Sequence, residues 1–244
     1  MASAPSANGL QGPLDIGAII GTSLAVWPRL MLAFGPIYAL QVLPDVLQGP
    51  VLGTQDQGAG LLTMFLADMV GLLISIVCLG GLTTVATQVL DGGEPRIVEA
   101  LDVGMRRFLP VLGACGLAGL LLLVGFLLLL VPGLVLSTWY FLVVPACILE
   151  TLGPGASLRR SAALSQGTRW RIFALVLVIA AAALVGTAFS TIAEKTIGGI
   201  GAAIVEVLAG TAVGIFAGTV PVVTYRALAC GVMGISASRF GAFR

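Results

Sequence analysis

The chain of 244 residues is 58% hydrophobic and only 9% charged, with a formal net charge of +1 and a mean hydropathy of +1.10. That composition lies far outside the soluble range and reads as a polytopic membrane protein with no room for a separate soluble catalytic domain, while the near-neutral charge supplies no field that would draw nucleic acid. The chain contains no histidine, which excludes Ser-His-Asp and Cys-His catalysis, HExxH metal sites and histidine proton relays.

The segment MASAPSANGLQGP is small, polar and uncharged and lacks the basic n-region of a signal peptide, so residues 1–13 are expected to remain as a disordered tail. Residues 14–237 read as one all-α transmembrane domain of about six helices, each needing roughly 20 apolar residues to cross a bilayer. The spans fall near 30–47, 61–83, 109–131, 134–149, 172–192 and 203–224. A short basic tail, 238–244, closes the chain.

Before spans one, three and five lie related segments: IGAIIGTSLAVWPRLM from Ile16, IVEALDVGMRRFLPVL from Ile97 and SLRRSAALSQGTRWRIFAL from Ser157. Each has mixed polarity, then an aromatic beside Arg or Pro, then a helical pair. The pattern predicts three interfacial-helix-plus-hairpin units in one orientation. The second segment is the cleanest amphipathic helix, with Ile97, Leu101, Met105 and Phe108 on one face and Glu99, Asp102 and Arg106 on the other, Asp102 being spaced to pair with Arg106. Arg106, Arg107, Arg159, Arg160, Trp170 and Arg171 are the candidate contacts to anionic lipid or to a partner. The competing reading makes these segments packed connectors whose arginines only set topology.

Span two carries Asp68, about ten residues in and near the midplane. A charge there costs on the order of 3 kcal/mol, so Asp68 reads either as an ion or proton site, or arginine partner, or as a carboxyl that joins helices. The uncharged run from Phe108 to Leu149 divides at Val131-Pro132-Gly133, with Pro132 and Gly133 forming the hairpin turn between spans three and four. Glu150 marks the return to the interface, placed to join Arg159 or Arg160. GGIG at Gly198 to Gly201 reads as the turn before span six. In that span Glu206 is a second intramembrane carboxyl. Gly210, Gly214 and Gly218 form a small-residue stripe for close helix packing or for dimerisation, followed by Pro221 as a kink. Cys78, Cys115, Cys147 and Cys230 show no metal or redox spacing and read as free, packed thiols.

Eleven arginines (29, 96, 106, 107, 159, 160, 169, 171, 226, 239 and 244) fall on one side of this arrangement and Lys195 alone on the other. The positive-inside rule then makes both termini cytoplasmic.

The stretch VPGLVLSTWYFLVVPACILETLGPGASLRRSAALSQGTRWRIFAL resembles the bacterial membrane-domain family named after the glycerophosphoryl diester phosphodiesterase membrane domain. The matching positions are Val131, Pro132, Gly133, Trp139, Pro145, Glu150, Gly153, Leu158, Arg159, Arg160, Ser161, Trp170 and Arg171, with Tyr225-Arg226 similar to the family's closing segment. The resemblance covers about the last 150 residues and implies the same six-helix architecture in a bacterial inner membrane. It does not carry over phosphodiesterase activity, because the catalytic domain and its histidines are absent. The expected function is a non-catalytic multi-pass inner-membrane protein, a scaffold or accessory factor for an envelope, lipid or membrane-complex process. Its expected partners are the bilayer, anionic lipids, another membrane protein or a second copy, with no cofactor and no metal. The alternative is a small transporter or channel that uses Asp68 and the glycine stripe of span six; a membrane-embedded enzyme ranks last.

Overall fold

The computed structural model describes residues 15–48 and 57–233. The two tails, most of the first expected outer loop, Arg239 and Arg244, and the side chain of Cys230 lie outside them. The described residues are almost wholly α-helical, with no strand among them, and form a polytopic membrane protein. In chain order the helices are α1 (Ile16–Gln48), α2 (Gln57–Leu90), α3 (Ile97–Arg106), α4 (Phe108–Leu128), α5 (Leu130–Tyr140), α6 (Val143–Leu149), α7 (Pro154–Leu164), α8 (Arg169–Thr196) and α9 (Gly199–Met233). Five segments are long and apolar enough to cross a membrane: Ile16–Leu40, Asp68–Leu90, Phe108–Leu128, Arg169–Thr196 and Gly201–Ala229; the shorter apolar segment Gly133–Leu149 is interrupted. The connections around α3 and α7 carry most of the arginines, and the end of the molecule they occupy is called here the basic side, the opposite end the far side.

Three hairpins result: α1 with α2, α4 with α5 and α6, and α8 with α9. The first and last close on one another through the long α1–α9 contact, α4 to α7 fill the middle, and α3 lies against α2. Two expectations about the first unit change. There is no separate interfacial helix before span one, because Ile19, Ser23, Val26, Leu30 and Phe34 are all buried and recur every three or four residues across Pro28, giving one continuous packing stripe. Arg29 therefore lies within α1 rather than at the end of a span.

The hairpin turn also moves. The chain is extended at Leu129 (φ −168°, ψ 147°), and α5 begins at Leu130, so Pro132 sits in the first helical turn, where its missing N–H leaves no hydrogen bond unmade. Gly133 is not a turn residue; a Cβ there would stand 2.5 Å from the Phe126 ring, and Gly125 opposite would meet the Gly133 Cα at 3.2 Å. The pair allows α4 and α5 to touch backbone to backbone.

The expected fourth span breaks at Phe141–Leu142, between α5 and α6. Pro145 accounts for this, since its ring clashes with the carbonyl four residues earlier and it has no N–H to donate. The turn Gly198-Gly199 before α9 is as expected, with φ of 62° and 53°, a region glycine enters without steric cost.

Packing is unequal along the membrane normal. The three hydrophobic clusters draw on Ile76 to Val89 of α2, Val111 to Ala118 of α4 and Ile215 to Ala229 of α9, all toward the basic side. Toward the far side, Phe65, Leu66, Met69, Val70, Leu72 and Leu73 of α2 and Leu120, Leu123, Leu127 and Leu128 of α4 are exposed. Among the described residues the buried clusters that hold the hairpins together thus lie toward the basic side.

Candidate functional site at the basic side

The locked end is built around Glu150. α6 ends at Leu149, the chain reverses through Thr151 (φ 52°), and Pro154 starts α7 at its first turn. This places Arg160 one and a half turns along α7 beside the carboxylate it follows by ten residues. Arg160 Nε and Nη2 each lie 2.8 Å from Glu150 Oε1, and the Tyr225 hydroxyl of α9 donates to the same oxygen. Tyr225 is fully buried, and the Glu150 and Arg160 side chains are mostly so. The carboxylate bonded to Arg160 holds the guanidinium above its ordinary pKa, because a hydrogen bond to the charged form favours that form.

The next residue of α9 makes a second tie. Arg226 donates to Asp91 at the end of α2 and through Nη1 to the Thr87 carbonyl at 3.3 Å. Neighbouring residues on α9 point about 100° apart, so Tyr225 and Arg226 reach the ends of two different hairpins. A third tie joins α4 to the α6–α7 corner: Arg107 Nη1 donates to the Thr151 carbonyl at 3.2 Å.

α7 supplies the chemistry that the helix break needs. Ser161 Oγ donates to the Trp139 carbonyl at 2.5 Å and accepts from the Leu142 N–H at 3.2 Å, and Ser165 Oγ, 2.7 Å from the Ser161 carbonyl of its own helix, shares its proton with the Thr138 carbonyl at 3.2 Å. Backbone groups freed by the interruption are thereby paired in a place where water cannot serve them. Ser157, Ser161 and Ser165 are buried at spacings of four, a periodic signal that the sequence displayed and that marks a polar face turned inward. Arg169 completes the corner, its guanidinium 4.7 Å from the centre of the Trp139 ring, a cation–π contact.

The residues singled out from the sequence divide between this clasp and the surface. Arg107 and Arg160 belong to the clasp. Arg106 pairs with Asp102 at 2.8 Å, as its spacing predicts, on the exposed side of α3. Arg159 is exposed and makes no hydrogen bond or ion pair among the described residues. Trp170 is 83% exposed and meets Phe173 edge to face at 6.1 Å, while Arg171 beside it is half-buried. α3 packs on α2 through Ala100 and Gly104, where a Cβ on Gly104 would lie 2.6 Å from the Val77 carbonyl oxygen; its Val98 and Met105 face outward, as does Leu109 at the start of α4.

Asp68 and Glu206 are both exposed, on different helices, and neither has a partner among the described residues. In the glycine stripe, Gly214 receives the Tyr38 ring of α1 and Gly218 receives Leu82 of α2, so these two serve packing within the chain; Gly210 is half-buried. Cys78, Cys115 and Cys147 are free thiols, and no group of metal-ligating side chains is found among the described residues. No protein-family profile, curated protein or solved structure matches the chain.

Proposed function

We propose that the protein is a non-catalytic multi-pass protein of the bacterial cytoplasmic membrane, with its basic side in the cytoplasm, acting as a scaffold or accessory factor for an envelope, lipid or membrane-complex process. One observation carries the reading: on the basic side, large apolar side chains stand exposed beside arginines, Val98, Met105 and Leu109 with Arg106, and Trp170 with Arg169. Aromatic and aliphatic groups at headgroup depth next to cations suit a surface that engages anionic lipid, at about 1 kcal/mol per charge. The residues that carry the resemblance to the phosphodiesterase membrane domain, among them Trp139, Glu150, Arg160, Ser161 and Tyr225, are those that build the clasp, which favours a shared architectural role over a shared reaction. Oε1 of Glu150 is occupied by donors from both Arg160 and Tyr225, the pattern of a structural carboxylate.

The test is lipid analysis of the protein extracted directly into native nanodiscs. Enrichment of anionic lipid around the wild type, reduced in Arg106→Gln/Arg159→Gln with thermal stability retained, supports the reading. Equal lipid composition for both, with no co-purifying protein, contradicts it. A small transporter is the second reading, favoured by the exposed, unpartnered Asp68.

A further inference from the structure

Two connections carry most of the charge of the basic side, and they differ in balance. From Asp91 to Arg107, between α2 and α4, the chain has four carboxylates and three guanidiniums. Arg226 takes Asp91, and the cations of α3 and its N-cap are answered locally, Arg96 lying 3.6 Å from Glu99 and Arg106 2.8 Å from Asp102. From Glu150 to Arg171, around α7, the chain has four guanidiniums and one carboxylate, and no further acidic residue follows until Glu194. Arg160 takes Glu150. No carboxylate of that stretch is left for Arg159 or Arg169.

Both of these arginines are placed to meet an anion. Arg159 is exposed and makes no hydrogen bond or ion pair among the described residues. Arg169 is exposed as well, with its guanidinium stacked 4.7 Å from the centre of the Trp139 ring. Stacking holds a guanidinium by its face and leaves the N–H donors, which lie in its plane, open to an acceptor such as a phosphate oxygen.

Trp170 fixes the depth. Trp170, Leu177 and Leu184 recur every seven residues, about two turns, on one face of α8, and they are 83%, 52% and 70% exposed. Leu177 and Leu184 lie within the apolar segment Arg169–Thr196, which is long enough to cross the membrane. Their face is the lipid-facing one, and Trp170 stands where that face reaches the headgroups. α3 also turns apolar side chains outward, Val98 and Met105. Its cations, however, are spent on its own carboxylates, so it meets the interface by apolar burial, which does not distinguish headgroups of different charge.

We infer that the corner between α7 and α8, through Arg159, Arg169 and Trp170, is the face that selects anionic phospholipid, and that α3 rests in the interface without regard to headgroup charge. The inference rests on the lipid reading proposed above and narrows it to one of two surfaces.

The test is native mass spectrometry of the full chain in mixed micelles that hold phosphatidylglycerol and phosphatidylcholine in equal amounts. The wild type is expected to retain phosphatidylglycerol preferentially. Two variants remove the same charge from the two surfaces: Arg159→Gln/Arg169→Gln is expected to lower that preference roughly tenfold or more, at about fivefold per charge, and Arg96→Gln/Arg106→Gln by less than about twofold. Equal losses in the two variants, or a larger loss from α3, overturn the inference and leave the lipid reading standing. A wild type that retains the two lipids alike overturns both. Arg169→Gln also removes the stack on Trp139, so Arg159→Gln alone is the second measurement: a loss of about fivefold supports the corner, and wild-type preference contradicts it.

Discussion

Tyr225 of α9 donates its hydroxyl to Glu150 at the end of α6, across 75 residues of sequence, and the same carboxylate oxygen holds Arg160 of α7. One oxygen thus joins three helices, and Arg226, the next residue along α9, joins a fourth through Asp91. Buried charge-assisted bonds of this kind contribute about 1.5–3 kcal/mol each, and removing one partner leaves the others unpaired. Tyr225→Phe is expected to lower stability by about 2 kcal/mol and Glu150→Gln, which keeps an acceptor but loses the charge, by a comparable amount, with the double variant costing less than the sum because both act on the same bond. Unfolding titrations in mixed micelles measure this; additive losses would separate the two residues.

Ser161→Ala removes the group that pairs the Trp139 carbonyl and the Leu142 N–H at the helix break. Two backbone groups would lose their partner at about 1–3 kcal/mol apiece. Amide exchange read at Leu142 should speed markedly in the variant, with little change in the middle of α8. Cysteine at 161, which keeps a weak donor, should fall between the two.

Gly104→Ala tests how α3 is held. The new methyl would collide with the Val77 carbonyl of α2, a rigid backbone atom, so α3 must shift outward, at a cost of roughly 1–3 kcal/mol. Gly116→Ala on α4, where a Cβ meets nothing within 4 Å, should leave stability unchanged or slightly raised. Thermal unfolding of the two variants side by side separates close approach from helix propensity.

Asp102→Asn removes an ion pair whose side chains are 54% and 77% exposed. Surface pairs at this spacing contribute only about 0.3–0.5 kcal/mol, so the variant should unfold within error of the wild type. A large loss would mean that α3 is held by its charges rather than by Ala100 and Gly104.

The sequence carried those parts of the fold that rest on local pattern. Hydropathy located the long helices, the alternation of Ile97, Leu101, Asp102 and Arg106 located α3 and its ion pair, and the spacing of Gly214 and Gly218 announced close packing. Contacts that depend on where distant segments meet were not legible. Nothing local tells Tyr225 that Glu150 lies beside it, and Pro132 looked like the turn because its ability to sit in a first helical turn gives the same local signal. The Ser157, Ser161 and Ser165 repeat was readable but was overshadowed by the arginine pair between them, and the break it serves follows from Pro145, which was noted only as part of a motif. That the buried clusters gather toward one end of the molecule is a difference between two ends of one repeating pattern, visible only once exposure is known.

The account ties the hairpins together at the basic side through Tyr225, Glu150, Arg160 and Arg226 and leaves Leu72 of α2 and Leu208 of α9 exposed toward the far side. Spin labels at Leu72→Cys and Leu208→Cys, with the full chain in lipid nanodiscs, measure the distance between α2 and α9 there directly by pulsed electron resonance. The account predicts a broad distribution centred beyond the interaxial spacing of packed helices, about 8–10 Å. A narrow distribution at packed-helix spacing would contradict it.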